Sequence, residues 1–238
     1  NIISNDFVIY DGIIFKNLSH LNRSQIYSEE FKISTFIANE MANLYSNINF
    51  TLHPSIRDIR AFQWVNYGQA DRVYNVDIRY TSYIDISDFV PNSDLDNIST
   101  YKMASSARRQ EIRYAIRNGV KTTQISDPAL FIDFYKKTML RQNIMIDENK
   151  LSTMETLISQ LLSKKCAIMT MSSNAKGDMG SMAVFLLDNK RVYYLFGAND
   201  PGMRKEHTGT AVLWDSFYYK VLMKKKVWKL QIKSSFNK

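Results

Sequence analysis

The chain has 238 residues, 45% hydrophobic and 23% charged, with a formal net charge of +8 at pH 7. That length suits one large α/β domain or two small ones with a sizeable core, and no apolar run approaches the ~18 residues that a membrane span needs. Residues 1–7 hold no basic stretch followed by an apolar one, so no signal peptide is visible, and the single cysteine, Cys166, excludes an internal disulfide and a Cys/His metal cluster. A cytoplasmic protein without metal is the expectation.

Apolar periodicity lays out the elements. Residues 7–15 alternate around Asp11 and Gly12 like a strand or short hairpin. Residues 31–44 have helical spacing, 49–52 read as a short strand, and Pro54 sits where a helix can begin. Residues 74–86 read as a long strand with Val76, Ile78 and Tyr80 on one face. The Pro/Asn/Ser/Asp cluster at 91–96 is the best boundary in the chain. It divides the sequence into subdomains 1–95 and 96–238.

Beyond the boundary a helix is expected over 99–118, ending at Gly119, then a strand at 121–125. Asp127 and Pro128 open a helix to about 142, and another helix covers 147–162. Strands follow at 167–171, 179–187 and 192–196, then a helix over 208–225. Residues 227–232 alternate as a half-buried strand, with Trp228, Leu230 and Ile232 expected inward. The second half thus reads β-α-α-β-β-β-α-β. Mixed α/β (α+β) architecture is expected, in two related, packed subdomains.

Positive charge is concentrated in two places. Residues 101–121 hold six basic residues against Glu111 alone, a net +5, and residues 216–238 hold seven lysines and no acid. This favours an anionic partner such as a cofactor phosphate, a nucleotide or RNA; the other reading is solubility. Arg109, Arg113 and Arg117 fall at i, i+4 and i+8 and form one stripe that could hold phosphates bidentately.

The segment from Tyr193 to Arg204, YYLFGANDPGMR, is followed by Gly209 and a helix with Trp214. It reads as a strand, a turn and a glycine at a helix entrance. Free N–H groups at a helix start attract phosphate, aided by the helix dipole. The end of the strand, Phe196, Gly197 and Ala198, could aim N–H groups at an acyl carbonyl. Asp200, Glu206 and His207 are the candidate bases, in no fixed order. No Ser/His/Asp order or Cys/His pair suggests a covalent intermediate.

This segment resembles the Y-x-x-G-A-x-D…R…G…L-x-W pattern of Fem-like acyltransferases of the GNAT superfamily. Residues 105–119, SSARRQEIRYAIRNG, are similar to the R-R-x-I-R-x-A-x-K-x-G helix of that group, and residues 53–67, HPSIRDIRAFQWVNY, with Arg79 and Tyr80, to its N-terminal half. The resemblance implies a GNAT-like mixed sheet with flanking helices and acyl transfer to an amine. The donor would be an acyl-CoA or an aminoacyl-tRNA, held by Phe196, Gly197, Ala198, Arg204, Gly209 and the arginine stripe. The acceptor would be an amino sugar, a peptidoglycan precursor or another small molecule, met by Asp58, Arg60, Trp64, Arg79 and Tyr80 of the N-terminal subdomain. Two departures stand out. In the acyl-CoA signature Arg/Gln-x-x-Gly-x-Gly/Ala, Glu206 falls on the basic position when Gly209 is set on the first glycine. The C-terminus, VWKLQIKSSFNK, differs from the family's continuation and reads as truncated or altered. A degenerate GNAT fold that binds an anion or nucleotide without catalysis is the alternative.

Overall fold

The computed structural model describes residues 1–3, 7–78, 80–90, 93–189, 191–222 and 229–233, and beyond Tyr218 the backbone alone. The chain divides into two compact units, 1–79 and 80–238.

In the first unit, α1 (Arg23–Leu44) starts eight residues before the apolar spacing does, because Asn22 and Gln25 close a capping box there. Its buried positions are small, Ser34, Ala38 and Ala42. They let the helix approach α2 (Arg60–Gln63), where Ala61, Phe62 and Val65 complete a small core. Strands β1 (Ile2–Ile3) and β2 (Ile48–Asn49) form a two-residue parallel pair. Residues 7–15 are not a strand. The N–H groups of Asp11 and Gly12 both reach the Thr51 carbonyl, so a turn-like tie replaces a ladder. The helix expected from Pro54 starts only at Arg60.

The second unit is a six-stranded sheet with helices on it. Its elements are β3 (Thr81–Asp85), α3 (Ser99–Met103), α4 (Ser106–Arg117), β4 (Lys121–Ile125), α5 (Pro128–Arg141), α6 (Glu148–Ser163), β5 (Ala167–Ser173), β6 (Met179–Leu187), β7 (Arg191–Asn199), α7 (Thr208–Leu222) and β8 (Lys229–Lys233). The strand order is β3-β8-β7-β6-β5-β4, antiparallel throughout except for the parallel pair β7–β8.

Local signals explain most of these elements. Asp127 accepts from the N–H groups of Ala129 and Leu130 and caps α5; Asp147 caps α6 in the same way. Gly119, at φ +69°, ends α4 with bonds from Val120 N to Ala115 O and from Gly119 N to Ile116 O, the paired C-terminal bonds of a Schellman motif.

Two expectations change. The helix expected over 99–118 is broken: Ala104 is extended, and Ser105 caps a new helix by accepting from the Arg108 N–H. The strand expected over 74–86 is confined to Thr81–Asp85, the residues that pair with β8. Val76, Ile78 and Tyr80 are exposed, since among the described residues no strand lies beside 73–78. The same β3–β8 ladder ties β3 into the sheet of the second unit, ahead of the 91–96 cluster. Residues 91 and 92 and Trp228 lie outside the described residues. Cys166 is half-buried in the bend before β5.

The main core lies between the sheet and α7. Phe89 is wholly buried, its ring 4.7 Å from Trp214 and 5.1 Å from Phe217. It pins the chain after β3 onto α7 by edge-to-face contacts. On another side of α7, Asp215 is half-buried and accepts a 2.6 Å hydrogen bond from Thr122 Oγ1 of β4. Burial raises its carboxyl above the ordinary 3.8, and the Thr122 bond offsets part of the rise. Folding therefore favours protonated Asp215. The stability it contributes is fullest below its unfolded pKa and is lost as pH rises through its folded one. Asp215→Asn keeps an acceptor for Thr122 and cannot ionise. Its urea midpoint should gain on that of the parent chain as pH is raised from about 4 to about 7; a constant difference would place no titration at Asp215.

Candidate functional site

The site forms where β7 hands over to α7. Asp200 receives the Gly202 N–H at 2.7 Å and opens a 3₁₀ turn, Pro201–Glu206. His207 follows at φ +60°, a left-handed conformation uncommon outside glycine. Its carbonyl accepts the N–H groups of Thr210 and Ala211, the first helical bonds of α7.

Thr208 is clamped to the sheet. Ser172 Oγ donates to its carbonyl at 2.8 Å, and its hydroxyl lies 3.0 Å from Ser181 Oγ. Gly180 allows this approach, since a Cβ there would fall 2.4 Å from Thr208 Oγ1. A Cβ on Gly209 would fall 2.9 Å from Asn199 Oδ1. The first N–H groups of a helix have no intrahelical acceptor, and here they sit at the positive end of a fifteen-residue helix.

A cavity of about 380 Å³ opens at this helix start. Arg108 reaches it from α4, Arg141 from the end of α5 and Arg204 from the 3₁₀ turn. Arg108 is ion-paired with Glu111 and donates to Thr210 Oγ1 at 2.8 Å; Thr210 in turn donates to Glu111 at 2.7 Å. Among the described residues Arg141 and Arg204 make no ion pair. Helix N–H groups and guanidinium groups converging on one space are suited to an anion, with the Glu111 and Asp200 carboxylates also on the lining.

Arg108 and Thr210 also border a second cavity of about 520 Å³. Its walls are mainly apolar and include Tyr194, Trp214, Leu213 and Ile112, with Asp85 at the end of β3. Between the two cavities β7 carries a bulge: Val184 faces Phe196 and Phe185 faces Tyr194, which leaves Leu195 without a partner. Pairing with β8 stops at Tyr194, so β7 continues to Asn199 with that edge unpaired to β8.

The donor-side residues read from sequence fall into two groups. Arg204 and Gly209 line the anion cavity, as do Asp200 and His207. Phe196, Gly197 and Ala198 lie within β7, beyond the bulge; the strand runs to Asn199, past the end expected at 196. Glu206 lines neither cavity. The backbone at His207 favours another register for the signature, with Arg204 on the basic position, left-handed His207 on the first glycine and Gly209 on the last. Glu206 then no longer falls on the basic position.

Arg109, Arg113 and Arg117 line neither cavity. Arg113 donates to Tyr101 Oη and Arg117 lies over the Tyr114 ring. The arginine of α4 that borders both cavities is Arg108, four residues before buried Ile112 and so on its face; that spacing was the available signal. Arg141, Ser181, Asn199 and Asp85 carried no such mark.

Asp58, Arg60 and Trp64 belong to the first unit. Asp58 precedes α2 instead of sharing it, so Arg60 can fold back onto it through Nε and Nη2, at 2.9 and 2.6 Å. That bond holds the Asp58 carboxyl below its ordinary range. Arg60 also lies over the Phe31 and Trp64 rings. Tyr80 is exposed, and Arg79 lies outside the described residues. Among the described residues no group of three or more His, Cys, Asp or Glu is placed to hold a metal ion, and no helix is long and apolar enough to cross a membrane.

Gly197 gives a direct test of the β7 geometry. A Cβ there would fall 1.7 Å from Tyr194 Oη. Gly197→Ala should destabilise by about 1–3 kcal/mol through overpacking. Adding Tyr194→Phe should restore part of that loss; a double-mutant cycle showing no coupling would separate the two residues.

The family model for an acetyltransferase (GNAT) domain matches residues 106–217. No curated protein matches the chain. Among solved structures it is similar to FemX, with a TM-score of 0.53 and 12% identity over 68% of this chain and 55% of that one. It is similar also to a conserved protein of unknown function from Bacteroides thetaiotaomicron VPI-5482, at TM-score 0.47 and 8% identity over 66% of this chain and 50% of that one. A predicted acetyltransferase from Clostridium acetobutylicum, solved with acetyl-CoA, aligns at TM-score 0.41 and 10% identity over 49% of this chain and 82% of that one. The chain thus spans about half the length of FemX, and the likeness is one of fold. From the capped start of α4 to the buried Phe217 of α7 the chain matches the model of an acetyltransferase (GNAT) domain, and its fold is similar to that of FemX.

Proposed function

We propose that the chain is an N-acyltransferase that takes its acyl group from an acyl-CoA and passes it directly to an amine. The observation that carries this reading is the convergence of Arg108, Arg141 and Arg204 on the start of α7, where Gly209 lines the same cavity. A pyrophosphate is the group such a site suits: two adjacent anionic centres for several guanidinium groups and a helix N-terminus. The donor's arm would then run past Thr210 toward the bulge in β7, where strand-edge N–H groups could polarise the thioester carbonyl. The amine would attack that carbonyl, and the thiolate would leave.

A base is needed where the amine loses its proton. Asp200 and His207 border the phosphate end and not the apolar cavity, and Asp200 is already engaged by the Gly202 N–H. Asp85 is the carboxylate on the apolar cavity and is our candidate. Its Oδ1 accepts the Ser87 N–H at 2.9 Å, which fixes the side chain. The acceptor is a small amine; an amino sugar or a peptidoglycan precursor remains within this reading.

Thermal unfolding with CoA, acetyl-CoA and charged tRNA tests the donor. CoA at about 100 times its dissociation constant should stabilise the chain by roughly 2.7 kcal/mol. Arg204→Ala should weaken CoA about tenfold or more, since a charge-assisted hydrogen bond contributes about 1.5–3 kcal/mol. Stabilisation by charged tRNA alone would transfer the site to an aminoacyl donor. Binding of CoA with no transfer to any amine would favour the non-catalytic alternative. Asp85→Asn retains the acceptor for Ser87, so it should lower kcat by about 100-fold or more with CoA affinity unchanged.

A further inference from the structure

The larger cavity is oversized for an acetyl group. It measures about 520 Å³, and its walls are set by the side chains of Ile84, Ile112, Tyr194, Leu213, Trp214 and Phe217. Several of the polar groups on these walls are already engaged. Thr100 Oγ1 donates to the Asp85 carbonyl at 2.7 Å, and Arg108 is bound to Glu111 and Thr210. An occupant would gain few new hydrogen bonds there and would gain mainly by leaving water.

Continuity decides what that occupant is. Arg108 and Thr210 border this cavity and the anion cavity alike, so a ligand anchored by phosphate at α7 reaches it by passing one side chain. The part of an acyl-CoA farthest from its phosphates is the acyl group. We infer that the cavity holds the acyl chain of the donor, and that this chain is a medium-length aliphatic or aryl group instead of acetyl. This rests on the acyl-CoA reading of the anion cavity.

Ala104 is the residue through which to test it. It follows α3 in extended backbone, half-buried on the cavity wall, where a larger side chain needs no change of φ. Binding of CoA, acetyl-CoA, hexanoyl-CoA, octanoyl-CoA and benzoyl-CoA would be measured by calorimetry on the full chain. Each buried methylene is worth a factor of about four in affinity before the cost of ordering the chain. Octanoyl-CoA should therefore bind at least about tenfold tighter than acetyl-CoA. In Ala104→Phe the octanoyl-to-acetyl ratio should fall toward one. CoA and acetyl-CoA binding well, with no gain on lengthening, would overturn the inference and leave the donor reading standing. A gain that persists undiminished in Ala104→Phe would put the acyl chain elsewhere and overturn it too. No binding by any CoA species would overturn both. The parent chain's own series stands even if the variant fails to fold.

Discussion

The candidate site depends on one contact, the seating of the first turn of α7 on the sheet. Ser172 and Ser181 hold Thr208 from two adjacent strands, and Gly180 supplies the missing Cβ that lets the turn come so close. A helix start held only by loops would carry its N–H groups wherever the loops moved. Here those groups are fixed relative to β5, β6 and β7, and so to the bulge at Leu195 and the arginines around the cavity. Fixed dipoles do not have to reorganise when charge arrives, which is what makes them effective. The buried hydroxyl bonds also account for four polar groups that would otherwise be costly to bury.

Packing supports that seat from the other end of the helix. Phe89, Trp214 and Phe217 bury their rings against one another, so α7 is held by hydrogen bonds at its start and by apolar area farther along. The two kinds of contact respond differently to substitution. Loss of a ring would loosen the helix as a whole. Loss of a hydroxyl at Ser172 or Ser181 would change its position by little but would leave a buried partner unsatisfied.

Where signals were local, the fold was legible from sequence. Asp127 with Pro128, Asp147 and Gly119 mark helix ends through bonds made within a few residues, and α5, α6 and the end of α4 lie where those residues put them. Legibility failed where pairing was distant. The alternation at 74–86 looked uniform, yet only the part facing β8, more than 140 residues downstream, became strand. The site shows the same split. Gly209 and Arg204 stand next to the motif they serve, whereas Arg141 and Asp85 come to it through tertiary packing. Arg108 lay one residue from the stripe that drew attention, and only its spacing from Ile112 within α4 distinguishes the two.

The outer strands of the larger sheet bear on a different property, its behaviour toward other chains. β4 and β3 close the two ends, each five residues long, reading KTTQI and TSYID. A strand edge offers unpaired N–H and C=O groups to any extended segment that meets it, and long, flat, apolar edges invite fibrous growth. These edges are short and mostly polar, with Lys121 at the start of one and Asp85 at the end of the other. Either would make a poor template, so an assembly built on this sheet would have to engage side-chain surfaces in place of the backbone ladder.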